Sequence, residues 1–253
     1  MFKNLLKPNL TANVAEKFVV NFAKPQIGLN SLLVRTDEDL GGFSTASLDI
    51  REQKPPLAPF GRFHGETSLD LPEDRPEVVR LGYAMFRTKD LPSSFLGLGP
   101  ANFYDWSAYN QLSLRVRGDH RKYFINIQAD TPYPTDLYQH RLFLKTPGEW
   151  ETVTVSFANF ILTNGGVIQQ QQFLPREAVR SIGIGLVDGQ YGPFQLDLEW
   201  IKVHNGLDPE YEGDSPEQLE PAAESVATPM GDVTPEHAKK NSKTPGQRLS
   251  VDD

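Results

Sequence analysis

A chain of 253 residues with 38% apolar side chains is long enough to build one large core, and with no cysteine it has no disulfide framework, thiolate metal site or cysteine nucleophile. Its net charge of −8 is concentrated at one end, because residues 207–253 hold eleven acidic and four basic side chains. The rest is nearly neutral and lacks the clustered Lys and Arg that nonspecific nucleic-acid binding requires, and no stretch approaches the roughly 18–20 apolar residues of a membrane-spanning helix.

Near the N-terminus, Val14, Phe18 and Phe22 recur at helical spacing, with Lys3, Lys7, Lys17 and Lys24 against a single Glu16. This predicts a basic amphipathic helix, capped by Thr11 or Asn13 and stopped by Pro25. It reads either as a mitochondrial presequence or as a latch helix packed on the domain. From Leu32 to Val203 the pattern changes to short alternating runs separated by Gly, Pro, Asn and Asp. Strands are predicted at 47–50, 64–69, 79–86, 111–117, 123–128, 137–144, 151–157, 182–187 and 194–203. Two packed antiparallel sheets would bury their inner faces.

Three of these segments are specific enough to predict detail. Leu112, Leu114 and Val116 alternate with Ser113, Arg115 and Arg117, and Tyr123, Ile125 and Ile127 alternate with Phe124, Asn126 and Gln128. The pair reads as a hairpin with a basic, solvated turn at Gly118-Asp119-His120-Arg121, across which Arg117 pairs with Asp119. In the last strand the apolar phase set by Phe194, Leu196 and Leu198 reverses at Ile201 and Val203, which predicts a bulge or a sheet switch near Trp200. A short helix is predicted from Phe173 to Arg180, with Pro175 in its first turn. After Gly206 periodicity stops and six prolines appear, which predicts a disordered acidic tail, either a bait for a basic partner or a solvating extension.

Catalytic patterns are thin. Gly42-Phe43-Ser44-Thr45-Ala46 breaks the G-x-S-x-G elbow at its last position, and His64, His120, His140 and His204 stand singly on loops or strand surfaces. Gly183-Ile184-Gly185 lies within a strand-like run, where a dinucleotide loop would follow a strand and open a helix. Glu149 and Glu151 flank Trp150 on a solvated face with no apolar pocket to separate their acidities. Asp37-Glu38-Asp39 concentrates oxygen ligands on a turn, but a calcium ion would need Asp197 or Glu199 to approach, and a solvated acidic turn is the simpler reading. No catalytic residue, metal or cofactor is implied.

Arg117-Gly118-Asp119 and Gly148-Glu149-Trp150 resemble the complex I intermediate-associated protein 30 family. So do Asp39-Leu40-Gly41-Gly42-Phe43-Ser44, Gly61-Arg62-Phe63-His64-Gly65, Gly82-Tyr83-Ala84, Trp106-Ser107-Ala108-Tyr109-Asn110 and Ser181-Ile182-Gly183-Ile184 with Gly192-Pro193-Phe194. The resemblance implies an all-β galactose-binding-like jelly roll over residues 31–206, following an N-terminal segment (1–30) and preceding an acidic tail (207–253). It also implies a noncatalytic chaperone on the matrix side of the mitochondrial inner membrane, holding a membrane-arm intermediate of respiratory complex I together with other assembly factors. Peripheral membrane association fits that role. The basic turn, with Arg117, Asp119, Arg121 and Lys122, is the expected partner contact.

The alternative is a carbohydrate- or other ligand-binding module, for which Phe103, Tyr104, Trp106, Tyr109, Tyr133, Tyr138 and Tyr191 are the aromatics able to stack on sugars.

Overall fold

The structure, a computed structural model, describes residues 16–24, 31–92 and 102–206. The acidic tail and the cap expected at Thr11 or Asn13 lie outside the described residues. Thirteen strands account for the architecture: β1 (Glu16–Asn21), β2 (Leu32–Thr36), β3 (Thr45–Arg51), β4 (Phe60–Thr67), β5 (Ala84–Thr88), β6 (Gln111–Gly118), β7 (Tyr123–Ala129), β8 (Asp136–Leu142), β9 (Glu151–Ser156), β10 (Ile161–Asn164), β11 (Val167–Ile168), β12 (Val179–Leu186) and β13 (Gly192–His204). One sheet has the order β3-β4-β13-β6-β9 with β1 beside β13, and the other runs β11-β10-β8-β7-β12-β5-β2.

The alternation read in the sequence supplies the core between the sheets. Leu112, Leu114 and Val116 from β6 face Tyr123, Ile125 and Ile127 from β7, and all six are fully buried. At about 25 cal/mol per Å² of apolar area removed from water, such residues supply most of the driving force for packing one sheet on the other. Trp106 is also fully buried, stacked on Phe157 at 5.9 Å between centroids.

Both strands of the expected hairpin are present, but they do not pair. β6 bonds to β13 and β9, whereas β7 bonds to β8 and β12 in the other sheet. The turn at 118–122 is therefore a corner between sheets. Period-two alternation fixes which face a side chain takes, and two inward-facing strands joined by a short loop satisfy it equally well in one sheet or across two.

The N-terminal helix is corrected in the same way. Residues 16–21 form a strand on β13, with Val20 buried and Phe22 following it into the core. Phe18, Val20 and Phe22 satisfy a period of two as well as the helical spacing with Val14, and the β-branched pair Val19-Val20 favours the extended form. Tertiary pairing decides it. β4 covers β13 only from Gly192 to Leu198, and β1 takes the same edge from Trp200 to His204. The β13 register shifts between Leu198 and Trp200, where the neighbour changes, and Phe22 N–H donates to the Glu199 carbonyl at that point. The bulge thus lies where the reversed hydrophobic phase placed it.

Two smaller readings also change. The helix expected over 173–180 is a single 3-10 turn, Arg176–Ala178, that runs directly into β12. The strand expected from Val79 begins only at Ala84, and Val79 is exposed.

Glycines in the β3–β4 pair have steric reasons. A Cβ on Gly61 would meet the Phe22 ring at 2.3 Å, and one on Gly65 would meet the Thr45 carbonyl oxygen at 2.0 Å. The first neighbour is a side chain able to tilt; the second is backbone. Gly65→Ala is therefore expected to destabilise the fold by about 1–3 kcal/mol, measured as a lower urea midpoint with an unchanged slope.

Candidate functional site

Across the outer face of the six-stranded sheet, the register aligns Asp49 with Arg62, Arg62 with Asp197 and Asp197 with Arg117. Asp197 is an outward position between Leu196 and Leu198, yet its side chain is completely buried, because two guanidinium groups cover it. Arg62 donates through Nε and Nη2 to the two carboxylate oxygens at 2.7 and 3.0 Å. Arg117 donates through Nε and Nη2 to Oδ2 at 3.0 and 2.6 Å. The Asp197 hydrogen bond holds Arg62 above the ordinary arginine value.

Aromatic rings hold the arginine heads from the side. The Arg117 guanidinium lies 4.9 Å from the Trp150 centroid and 5.5 Å from that of Phe60, and the Arg62 head is also 5.5 Å from Phe60. Phe60 and Trp150 meet edge to face at 5.5 Å.

Beside this row opens a cleft of about 500 Å³ lined by Arg62, Arg117, Gly118, Asp119, His120, Pro147, Gly148 and Gln195. Its second wall is the turn before β9. Gly148, in the left-handed region at φ 87°, donates its N–H to the Gly118 carbonyl at 2.7 Å. The Glu151 carboxylate accepts from the backbone N–H groups of Lys145 and Thr146, so it braces this turn. That role leaves no acid pair with Glu149.

The four residues expected to form a partner contact divide into two kinds. Arg117 lines the cleft and Lys122 is exposed. Asp119 and Arg121 instead hold the corner. Arg117 bonds to Asp197, so the expected Arg117–Asp119 pair is not formed; Asp119 accepts from the backbone N–H groups of Arg121 and Gln195. The Arg121 side chain, 10% exposed, grips the fully buried Asp188 carboxylate through Nε and Nη2, at 2.7 and 2.8 Å. It also donates to Thr67 Oγ1 and to the carbonyls of Gln190, Gly192 and Pro193.

The acidic turn at Asp37–Leu40 is built as an internal staple. Asp37 is completely buried, and its carboxylate accepts from Ser44 N–H, Ser44 Oγ, Gly82 N–H and Tyr83 N–H at 2.7–3.1 Å. Its oxygens are committed to protein donors, and Asp197 is committed to two arginines. Neither carboxylate is free for the calcium arrangement considered above. Among the described residues, no group of three His, Asp or Glu side chains converges to hold a metal.

The aromatics considered as sugar platforms are dispersed. Trp106 and Tyr138 are in the core, Tyr104 and Tyr109 pack against it, Phe103 is half-buried beneath Arg180, and Tyr133 and Tyr191 are exposed.

His140 is partly buried against Phe143 and Phe160 and shares a 2.7 Å hydrogen bond with the Arg141 carbonyl. Burial lowers its pKa below the ordinary 6.5, although that hydrogen bond works the other way. The unfolded chain therefore binds this proton more readily than the native one. Its contribution to stability is complete above pH 6.5 and is lost as pH falls from there toward the lowered native value. The urea midpoint is expected to fall across that window, and His140→Gln to flatten this part of the slope.

The fold is a two-sheet antiparallel sandwich with an arginine cleft on one sheet, and solved structures share that fold. Family 11 carbohydrate-binding modules of Clostridium thermocellum superpose with a TM-score of 0.51 at 16% identity. The module of the cellulosomal cellulase Lic26A-Cel5E and the one in complex with a beta-1,3-1,4-mixed-linked tetrasaccharide each cover 78% of this chain, over 98% and 99% of the module. That likeness concerns the fold alone. The chain itself belongs to the complex I intermediate-associated protein 30 family, whose model matches residues 20–198. Its relatives include mitochondrial proteins of that name. The Neurospora crassa protein is 37% identical over 79% of this chain and 77% of its own length. The Drosophila melanogaster protein is 33% identical over 72% and 61%, and the mouse protein 28% identical over 69% and 52%.

The cleft shows what sequence reading missed. Arg62 and Asp197 are 135 residues apart, and only the register of the folded sheet joins them to Arg117. Asp197 stands in the outward phase with Gln195 and Glu199, where alternation places polar side chains, so nothing local marks it as buried.

Proposed function

We propose that this protein is a noncatalytic assembly factor that binds intermediates of mitochondrial respiratory complex I, working on the matrix side of the inner membrane with other assembly factors. The observation that carries this reading is family membership across 20–198, which spans nearly the whole described sandwich. A binding role is supported by the cleft beside Arg62 and Arg117, whose heads are held in place by Asp197. Among the described residues no helix is long and apolar enough to cross a membrane; peripheral contact with the inner membrane is part of this reading.

The partner contact in this reading is the corner and cleft around Arg117 and Lys122, with Asp119 and Arg121 positioning them. The test is to isolate tagged full-length protein from mitochondria in mild detergent and identify what co-purifies. Complex I subunits and assembly factors in the eluate support the reading; mitochondria in which the protein captures none of them overturn it. Because Arg121 is a buried structural residue, the contact is probed at Lys122 and His120, whose side chains are exposed. The double variant Lys122→Glu and His120→Glu is expected to capture less partner while melting like the parent.

A further inference from the structure

We infer that the Arg62–Arg117 pair is a binding site for a single carboxylate group, presented by an acidic side chain of a partner polypeptide. This deepens the assembly-factor reading and rests on it for the identity of the ligand's source, while the site itself can be tested without any partner.

Charge is the first argument. Two guanidinium groups share one buried carboxylate, and no second carboxylate is hydrogen-bonded to either arginine head. Asp49, the next acid in the row, is bonded to Arg51 and His64, so it does not supply the missing partner to Arg62. Asp119 at the rim directs its oxygens to the backbone N–H groups of Arg121 and Gln195.

Donor geometry is the second. A guanidinium carries five N–H donors, and Arg62 and Arg117 each engage Asp197 through Nε and Nη2 only. Their Nη1 groups remain available, and the two side chains are 28% and 30% exposed beside the cleft. Both heads are already fixed by the buried Asp197 and by the Phe60 and Trp150 rings, so little rotamer entropy remains to be lost when a ligand arrives. A planar carboxylate matches a planar guanidinium edge. The nearby Asp119 and Asp197 carboxylates disfavour a dianionic phosphate relative to a monoanion.

The class of ligand follows from the cleft's size and openness to solvent. At about 500 Å³ it accommodates an amino-acid side chain with its backbone, and the exposed His120 and Gln195 offer further polar contacts at its rim.

The experiment uses the full-length protein, titrated with N-acetylglutamate amide and, separately, with inorganic phosphate, each at ionic strength held constant with chloride. Two readouts are followed: the Nε–H resonances of Arg62 and Arg117, and the fluorescence of Trp150 identified by comparison with Trp150→Phe. Saturable shifts at both arginines with the carboxylate, and weaker binding of phosphate, are expected. Arg117→Lys keeps a charge over Asp197 but loses the planar edge, and should weaken carboxylate binding about tenfold. The site is overturned if neither probe gives a saturable response, if the shifts map away from the cleft, or if a folded Arg117→Lys variant binds as tightly as the parent. Phosphate binding more tightly than the carboxylate overturns the assignment of the ligand. Should the lysine variant fail to fold, the resonances of the unmodified protein decide alone. Loss of complex I subunits from the co-purification would leave these titrations unaffected, so the two readings fail separately.

Discussion

Arg121→Ala is expected to destabilise the sandwich by about 3–5 kcal/mol, because it leaves the buried Asp188 carboxylate without its counter-ion. The same truncation also releases Thr67 Oγ1 and three backbone carbonyls, at residues 190, 192 and 193. These groups belong to the end of β4, the start of β13 and the loop before it, so one side chain ties the corner after β6 to the neighbouring strand ends of the same sheet. Domains of this kind are stable by only about 5–15 kcal/mol, and the loss would remove a large fraction of that. Arg121→Lys should recover part of it, since a lysine retains the charge but cannot serve five acceptors from a fixed plane. Urea titration of the three proteins checks the order. A midpoint for Arg121→Ala equal to that of the parent would contradict the structural role.

Asp37→Ala is the second large effect, with an expected cost of at least about 4 kcal/mol. Four buried donors lose their acceptor, each worth about 1–3 kcal/mol when left unmade, with partial relief from relaxation of the turn. The informative companion is Asp37→Asn. The amide keeps one acceptor oxygen but directs its NH₂ toward groups that are themselves donors, so the isosteric change should be nearly as damaging as truncation. Glycines make room for this staple. A Cβ on Gly42 would lie 2.4 Å from Asp37 Oδ1, and Gly82 sits at φ 99° to aim its N–H at the carboxylate. Thermal melting that leaves either variant within a degree or two of the parent would contradict the staple.

These two residues also show where reading the sequence succeeds and where it stops. Strand positions and inward faces are legible because β residues alternate, and Leu112 to Val116 and Tyr123 to Ile127 bury the side chains that alternation assigns to the core. The bulge in β13 is legible for the same reason, as a phase error in Phe194 to Val203. Partner choice is not written in a period of two. Nothing local distinguishes a hairpin between β6 and β7 from a corner between sheets, and Phe18, Val20 and Phe22 fit a strand as well as they fit a helix.

The candidate site follows that division. Arg117 is found from its motif, but Arg62 and Asp197 become its neighbours only through the pairing of β4, β13 and β6. Arg121 and Asp37 carry opposite lessons about charge: the first sits in a run that reads as basic and solvated, the second in one that reads as an acidic turn, and both are buried by partners far along the chain. A charged residue flanked by apolar strand is as good a sign of a buried ion pair as of a wet surface.

The central position of β13 has a consequence for how the protein comes into being. Among the described strands it is the last to be made, yet β1, β4 and β6 all pair with it. Until residue 204 has emerged from the ribosome, or from an import channel, β3 with β4 and β6 with β9 are two unconnected pairs with bare edges, and β1 has no partner strand. Such long-range closure makes folding slow and leaves those edges open to mispairing in the interval. A chain that terminates before Gly192 has lost the six-stranded sheet as a whole.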